Sequence, residues 1–165
     1  ANLLLQKTPS DNFTATMKLT FTPNQKNKGE RTGLIVMGRD YAGLFLKNTD
    51  KGLTLSQVEC KRADKGKPEQ SNASVSLTQN TVYLKVKFKC DGKKIKASEG
   101  GHDLLVMCDF SYSLDGKKYQ PLGNPFQARE GQWIGTKIGT FCTRPAIVTN
   151  DGGWVDVDWF RIAKK

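Results

Sequence analysis

Phe13-Thr14-Ala15-Thr16-Met17-Lys18-Leu19-Thr20-Phe21 carries an apolar side chain at every second position. Successive side chains of an extended chain point to opposite faces, so Phe13, Ala15, Met17, Leu19 and Phe21 share one face, and the threonines and Lys18 the other. This is the pattern of a half-buried antiparallel strand. Gly33-Leu34-Ile35-Val36-Met37-Gly38 and Tyr41-Ala42-Gly43-Leu44-Phe45-Leu46 read as two further strands around a tight polar connection at Arg39-Asp40. Lys51-Gly52 marks another turn, and residues 53–60 return as a strand. Residues 61–72 are polar with Gly and Pro and read as a surface loop. Strands are predicted again over 73–77, 82–88, 104–113, 119–122, 133–142 and 154–162, broken by Asp115-Gly116, Gly123, Asn124-Pro125 and Asp151-Gly152-Gly153. No segment of helical length has a 3.6-residue period. Many short strands separated by Gly, Asp and Asn turns indicate an all-β sandwich, which gives every strand a buried face.

The chain has 165 residues, 15 of them aromatic, with 26 Lys+Arg against 16 Asp+Glu and a net charge of +10. This composition fits one domain over residues 1–165 and argues against disorder. No stretch approaches the roughly 18 apolar residues of a membrane span, and the first residues lack the three-part pattern of a secretory leader. The entry at Ala1 directly into an apolar run suggests the later part of a longer polypeptide. Cys60, Cys90, Cys108 and Cys142 have no metal-ligand spacing, and His102 is the single histidine, so a zinc site has no support. A Cys90–Cys108 disulfide could close a hairpin in an oxidising compartment; free buried thiols are the favoured alternative.

Candidate chemistry is sparse. Asp156 and Asp158 alternate onto one strand face, but their apolar neighbours favour a structural or ion-binding role over catalysis. With Asn150 and Asp151 they group hard oxygen ligands near one loop, a candidate calcium site through Asp151, Asp156 and Asp158 that stands against a plain solvated turn. No nucleophile motif is present, and His102 falls in a Gly-rich hairpin tip. The lysines at 85, 87, 89, 93, 94 and 96 form a dense run, and over residues 82–89 they alternate with Leu84, Val86 and Phe88 as a solvated strand face does. With six Arg among the 26 basic residues and no aromatic RNA-binding motif, a nucleic-acid partner is disfavoured. Tyr41, Trp133 and Trp154, with Arg39, Arg129 and Arg144 nearby, are candidates for sugar stacking and hydroxyl recognition. Core packing competes for each, and for Trp159 it is the expected role.

The ordered series 2–7 (Asn-Leu-Leu-Leu-Gln-Lys), 13–16, 30–38 (Glu-Arg-Thr-Gly-Leu-Ile-Val-Met-Gly), 110–116 (Phe-Ser-Tyr-Ser-Leu-Asp-Gly), 126–131 and 156–160 (Asp-Val-Asp-Trp-Phe) resembles the C-terminal concanavalin-like β-sandwich of family 43 glycoside hydrolases. The resemblance implies a jelly-roll-type antiparallel sandwich in a secreted or periplasmic enzyme of the β-xylosidase and α-arabinofuranosidase class. It implies a catalytic propeller elsewhere in the same polypeptide and a plant polysaccharide such as xylan or arabinoxylan as substrate. Family members carry strands upstream of the Asn-Leu-Leu-Leu-Gln segment, so residue 1 would fall inside the sandwich, leaving its first strands missing. The insert between Cys90 and Cys108 departs from the family pattern. The expectation is an ancillary, non-catalytic domain, with residues 129–133 and the 144–154 loop as its contribution to substrate recognition. A free-standing lectin-like module and a polyanion-binding basic domain are the alternatives.

Overall fold

The computed structural model describes residues 2–97, 101–131, 134–144 and 151–164. Among the described residues, twelve strands form two antiparallel sheets. The first sheet holds β1 (Asn2–Lys7), β3 (Arg31–Met37), β4 (Tyr41–Thr49), β5 (Gly52–Cys60), β6 (Gln70–Leu77) and β11 (Lys137–Thr143), in the order β1-β11-β3-β4-β5-β6. The second holds β2 (Phe13–Thr22), β7 (Thr81–Lys96), β8 (His102–Ser113), β10 (Phe126–Ala128) and β12 (Trp154–Lys164), in the order β10-β8-β7-β2-β12, with the short β9 (Gln120–Pro121) paired to β8. The expected all-β, concanavalin-like sandwich is the observed fold.

The alternation of β2 translates directly into packing. Phe13, Ala15, Met17, Leu19 and Phe21 are buried, and across the ladder they meet the inward set of β7, Val82, Leu84, Val86 and Phe88. Phe13 stacks on Phe88 with ring centroids 4.2 Å apart. Leu34, Val36, Leu44, Leu46, Leu55 and Ile138 of the first sheet close this core from the other side. Each such side chain contributes about 1.5–3 kcal/mol by leaving water.

β3 and β4 are buried on both faces, which is why their sequences are continuously apolar where β2 alternates. Their outward side chains belong to a second cluster of Ile35, Phe45, Val58 and Phe141, with Leu5, Met37 and Tyr41 against it.

Several expectations change. The 61–72 loop contains a 3-10 turn at Ala63–Lys65, and β6 starts at Gln70. β10 falls between the strands expected at 119–122 and 133–142, in a segment given no strand. The lysine-rich insert extends the β7–β8 hairpin, with Cys90 opposite Val106 and Cys108 opposite Phe88. The cysteines are free thiols, Cys60 and Cys108 buried and Cys90 and Cys142 partly exposed, and burial pushes the Cys108 thiol well above its ordinary pKa.

Trp159 is a correction. Strict alternation along β12 would send it into the core behind Val157, but a bulge between Val157 and Trp159 shifts the register and sets Trp159 opposite Lys18. The indole therefore lies half-buried on the outer face, while Phe160 and Ile162 resume the inward positions opposite Met17 and Ala15.

Candidate functional site

The outer face of the first sheet can be read row by row from the register. Leu3, Phe141, Gly33, Phe45 and Ser56 form one row; Leu5, Gly139, Ile35, Gly43 and Val58 the next; Lys137, Met37, Tyr41 and Cys60 a third. In the first two rows glycine thus sits beside Phe141, Phe45, Leu5, Ile35 and Val58. At Gly33 a Cβ would come within 1.9 Å of the Leu44 carbonyl oxygen, and at Gly43 within 2.1 Å of that of Leu34. The bare backbone lets Phe45 and Phe141 meet edge to face across Gly33, centroids 4.4 Å apart. The result is a shallow hollow of about 180 Å³ lined by Leu3, Ile35, Met37, Tyr41, Phe45 and Phe141.

A charged cluster forms its rim. Arg31 donates to both carboxylate oxygens of Glu69, at 2.6 and 3.0 Å, and from Nε to Thr143 Oγ1 at 3.3 Å. Its guanidinium lies 5.3 Å from the Phe45 ring centroid. The Tyr41 hydroxyl donates to Glu69 at 2.5 Å. Burial and the Glu69 carboxylate both push the Tyr41 phenol upward. Burial alone would raise Glu69, but the hydrogen bonds from Arg31 and Tyr41 together outweigh it and hold the carboxyl below its ordinary value. Arg31 and Glu69 were not singled out from the sequence. The glycines inside apolar strands were the available signal, since a strand glycine marks close approach.

The other sequence candidates scatter. Arg129 lies 3.8 Å from Asp40, whose Oδ1 also accepts the Arg62 N–H at 2.8 Å, so Arg129 shares the Asp40-Tyr41 corner. Arg39 donates its backbone N–H to the Glu130 carbonyl at 3.1 Å beside it. Arg144 lies 3.8 Å from Asp151 near the Gly152-Gly153 turn. Trp154 is exposed opposite Thr22 on the second sheet. Trp133 and Asn150 lie outside the described residues.

The three candidate calcium ligands do not converge. Asp158 is ion-paired with Lys18, Asp151 accepts from Asn27 Nδ2 at 3.3 Å, and Asp156 stands opposite Thr20 on the strand face. Among the described residues no group of three or more His, Cys, Asp or Glu side chains could hold a metal. The carboxylates that do interact are Asp103 and Glu130, at a hollow of about 340 Å³ lined by Phe88, Val106 and Thr136. Burial raises the Asp103 carboxyl, and the charge and hydrogen bond of Glu130 raise it further.

Over residues 1–163 the sequence matches the family described as the beta xylosidase C-terminal concanavalin A-like domain. The chain belongs to this family. No curated protein matches it. Among solved structures, the bifunctional GH43-CE protein of Bacteroides eggerthii superposes on this GH43 C-terminal domain with a TM-score of 0.76 and 24% identity, over 98% of this chain and 18% of its own. The xylan beta-1,4-xylosidase of Bacillus halodurans C-125 gives 0.70 and 16%, over 98% and 29%. The GH43 BlXynB protein of Bacillus licheniformis gives 0.67 and 19%, over 98% and 29%. At such identities the likeness concerns the fold. The chain spans less than a third of the length of each of these proteins.

Proposed function

We propose that this domain is a non-catalytic accessory sandwich of a glycosidase acting on plant polysaccharide of the xylan or arabinoxylan class. In this reading it braces a catalytic propeller in the same polypeptide and helps to form the substrate site. The family match over residues 1–163, on a chain much shorter than its structural neighbours, carries the reading. Polymeric xylan is met outside the cytoplasm, so the protein is placed in a secreted or periplasmic setting.

The Arg31–Glu69–Tyr41 hollow has the anatomy of an interface: an aromatic and aliphatic centre with an Arg-containing polar rim. We assign to it the contact with the catalytic domain. A second contact is proposed at the free edge of β1. Leu3 and Leu4 are 50% and 75% exposed there, and a 260 Å³ hollow lined by Leu4, Leu5, Ile138, Val157 and Phe160 opens toward β12. An upstream strand would cover apolar area and unpaired backbone at once.

The test is kinetic. In the polypeptide that joins this chain to its catalytic domain, Arg31→Ala combined with Tyr41→Ala should shorten the activity half-life on heating several-fold, with kcat at low temperature within about twofold of the parent. An unchanged half-life would remove the interface assignment. A large kcat loss with the fold intact would place these residues in the chemistry.

A further inference from the structure

The outer face of the second sheet carries a groove, on the other side of the sandwich from the Tyr41 hollow. Its rows run Trp159-Lys18-Tyr83-Ser113, then Arg161-Thr16-Lys85-Ser111, then Ala163-Thr14-Lys87-Asp109. Thr14, Thr16 and Ala163 make a low floor. One wall is Trp159 and Arg161, the other Lys85 and Tyr119, around an open volume of about 610 Å³.

Each wall stacks a cation on an aromatic ring. Arg161 lies 4.2 Å from the Trp159 ring centroid, and Lys85 Nζ 3.3 Å from that of Tyr119. Tyr83 tilts against Trp159 at 6.1 Å. Within this cation–π distance the planar guanidinium still carries the N–H fork that grips a carboxylate with two hydrogen bonds. Arg161 and Lys85 flank Thr16, so their Cα atoms are two strand spacings apart, about 10 Å.

Charge decides what fits. Neither Arg161 nor Lys85 has an ion-pair partner among the described residues. The nearby carboxylates are committed elsewhere: Asp158 to Lys18, Asp109 to Lys89, and Asp115 to the backbone N–H groups of Lys117 and Lys118. Asp156 lies further along, opposite Thr20. Burial lowers the Lys85 ammonium, so a bound anion would recover interaction energy that this site forgoes.

We propose that this groove binds an acidic carbohydrate, a sugar chain bearing a uronic acid. Arg161 and Lys85 take the carboxylate, the edges of Trp159 and Tyr119 contact the CH faces of the ring, and the Thr14 and Thr16 hydroxyls meet its hydroxyl groups. Only the choice of a xylan-derived probe rests on the function proposed above; the groove stands apart from the Tyr41 hollow.

Isothermal titration of the full chain tests it, with a uronic-acid-bearing xylo-oligosaccharide, the neutral oligosaccharide of equal length, and single-stranded DNA. Saturable binding of the acidic sugar, at least tenfold tighter than the neutral one, is expected. Arg161→Gln and Lys85→Met should each weaken it at least fivefold, and Trp159→Phe should weaken it less than Trp159→Ala. Lys94→Gln, on the hairpin extension away from the groove, should leave it unchanged. Thermal melts verify that each variant folds. Equal binding of acidic and neutral sugars, no binding by the folded parent chain, or equally tight DNA binding that falls with the same variants would each overturn the assignment. These outcomes leave the accessory role intact, because that role is read from kinetics of the joined enzyme.

Discussion

Glu30 is the most consequential carboxylate that the sequence did not mark. It is 3% exposed, and it accepts the backbone N–H of Asn24 at 2.7 Å and of Gly153 at 2.9 Å, tying the loop after β2 to the turn before β12. Glu30→Ala orphans both donors and should cost on the order of 2–4 kcal/mol, read as a lower midpoint in urea at unchanged slope. Two other carboxylates give pH signatures of opposite sign. Glu69 is held below its ordinary value in the fold, so its contribution is present above the unfolded pKa and lost as pH falls through the folded one. Glu69→Gln should therefore lower the melting temperature at pH 7, by an amount that shrinks as pH falls below the ordinary carboxylate range. Asp103 is raised, so its ionisation opposes folding as pH climbs above the unfolded value. Asp103→Asn should raise the melting temperature at pH 7, with the gain vanishing in acid. Thermal melts across pH 3–8 check both. Asp115 provides a calibration: it accepts from the backbone of Lys118 and Lys117 and from Ser113, and its carboxyl should titrate at about 2 by carbon-detected NMR.

At the scale of the strand, period-two alternation was fully legible in β2 and in the first half of β7, because one face is apolar and the other polar. It misled at β12. The Asp-Val-Asp-Trp-Phe run alternates on paper, yet the bulge places both Asp158 and Trp159 against Lys18 and turns the indole outward. Nothing in single-residue hydrophobicity marks a bulge, which is a property of the pair of strands. The glycines of β3 and β4 were visible, but their meaning was not, since the aromatic neighbours they accommodate sit across the ladder. Gly33→Ala should cost on the order of 3 kcal/mol, because the added Cβ would meet the Leu44 backbone. Gly52→Ala, at a turn where a Cβ meets nothing within 4 Å but φ is +100°, should cost about 1 kcal/mol. Equal losses at the two glycines in denaturant titrations would show that the close approach in the first sheet is relaxed away.

For the whole molecule, composition and turn chemistry led to the right architecture, and the ordered segments led to the right family. The sites were far less legible. Asp156 and Asp158 share an outer strand face as their spacing implied, but Asp158 is ion-paired with Lys18, and the pairings the sequence did not show, Asp103 with Glu130 and Arg31 with Glu69, join residues 27 and 38 positions apart. Long-range side-chain pairing is created by sheet order, and strand order cannot be read from local pattern. The central claim is that this sandwich supports glycoside hydrolysis without supplying its acid, base or nucleophile. Steady-state hydrolysis of an aryl β-xyloside by the polypeptide joining this chain to its catalytic domain tests it, with Asp156→Ala and Asp158→Ala introduced together. The account predicts kcat within about twofold of the parent, because in the proposed reading the catalytic groups lie outside this chain. A fall of a hundredfold or more in kcat, with the far-ultraviolet circular dichroism and melting temperature unchanged, would contradict it.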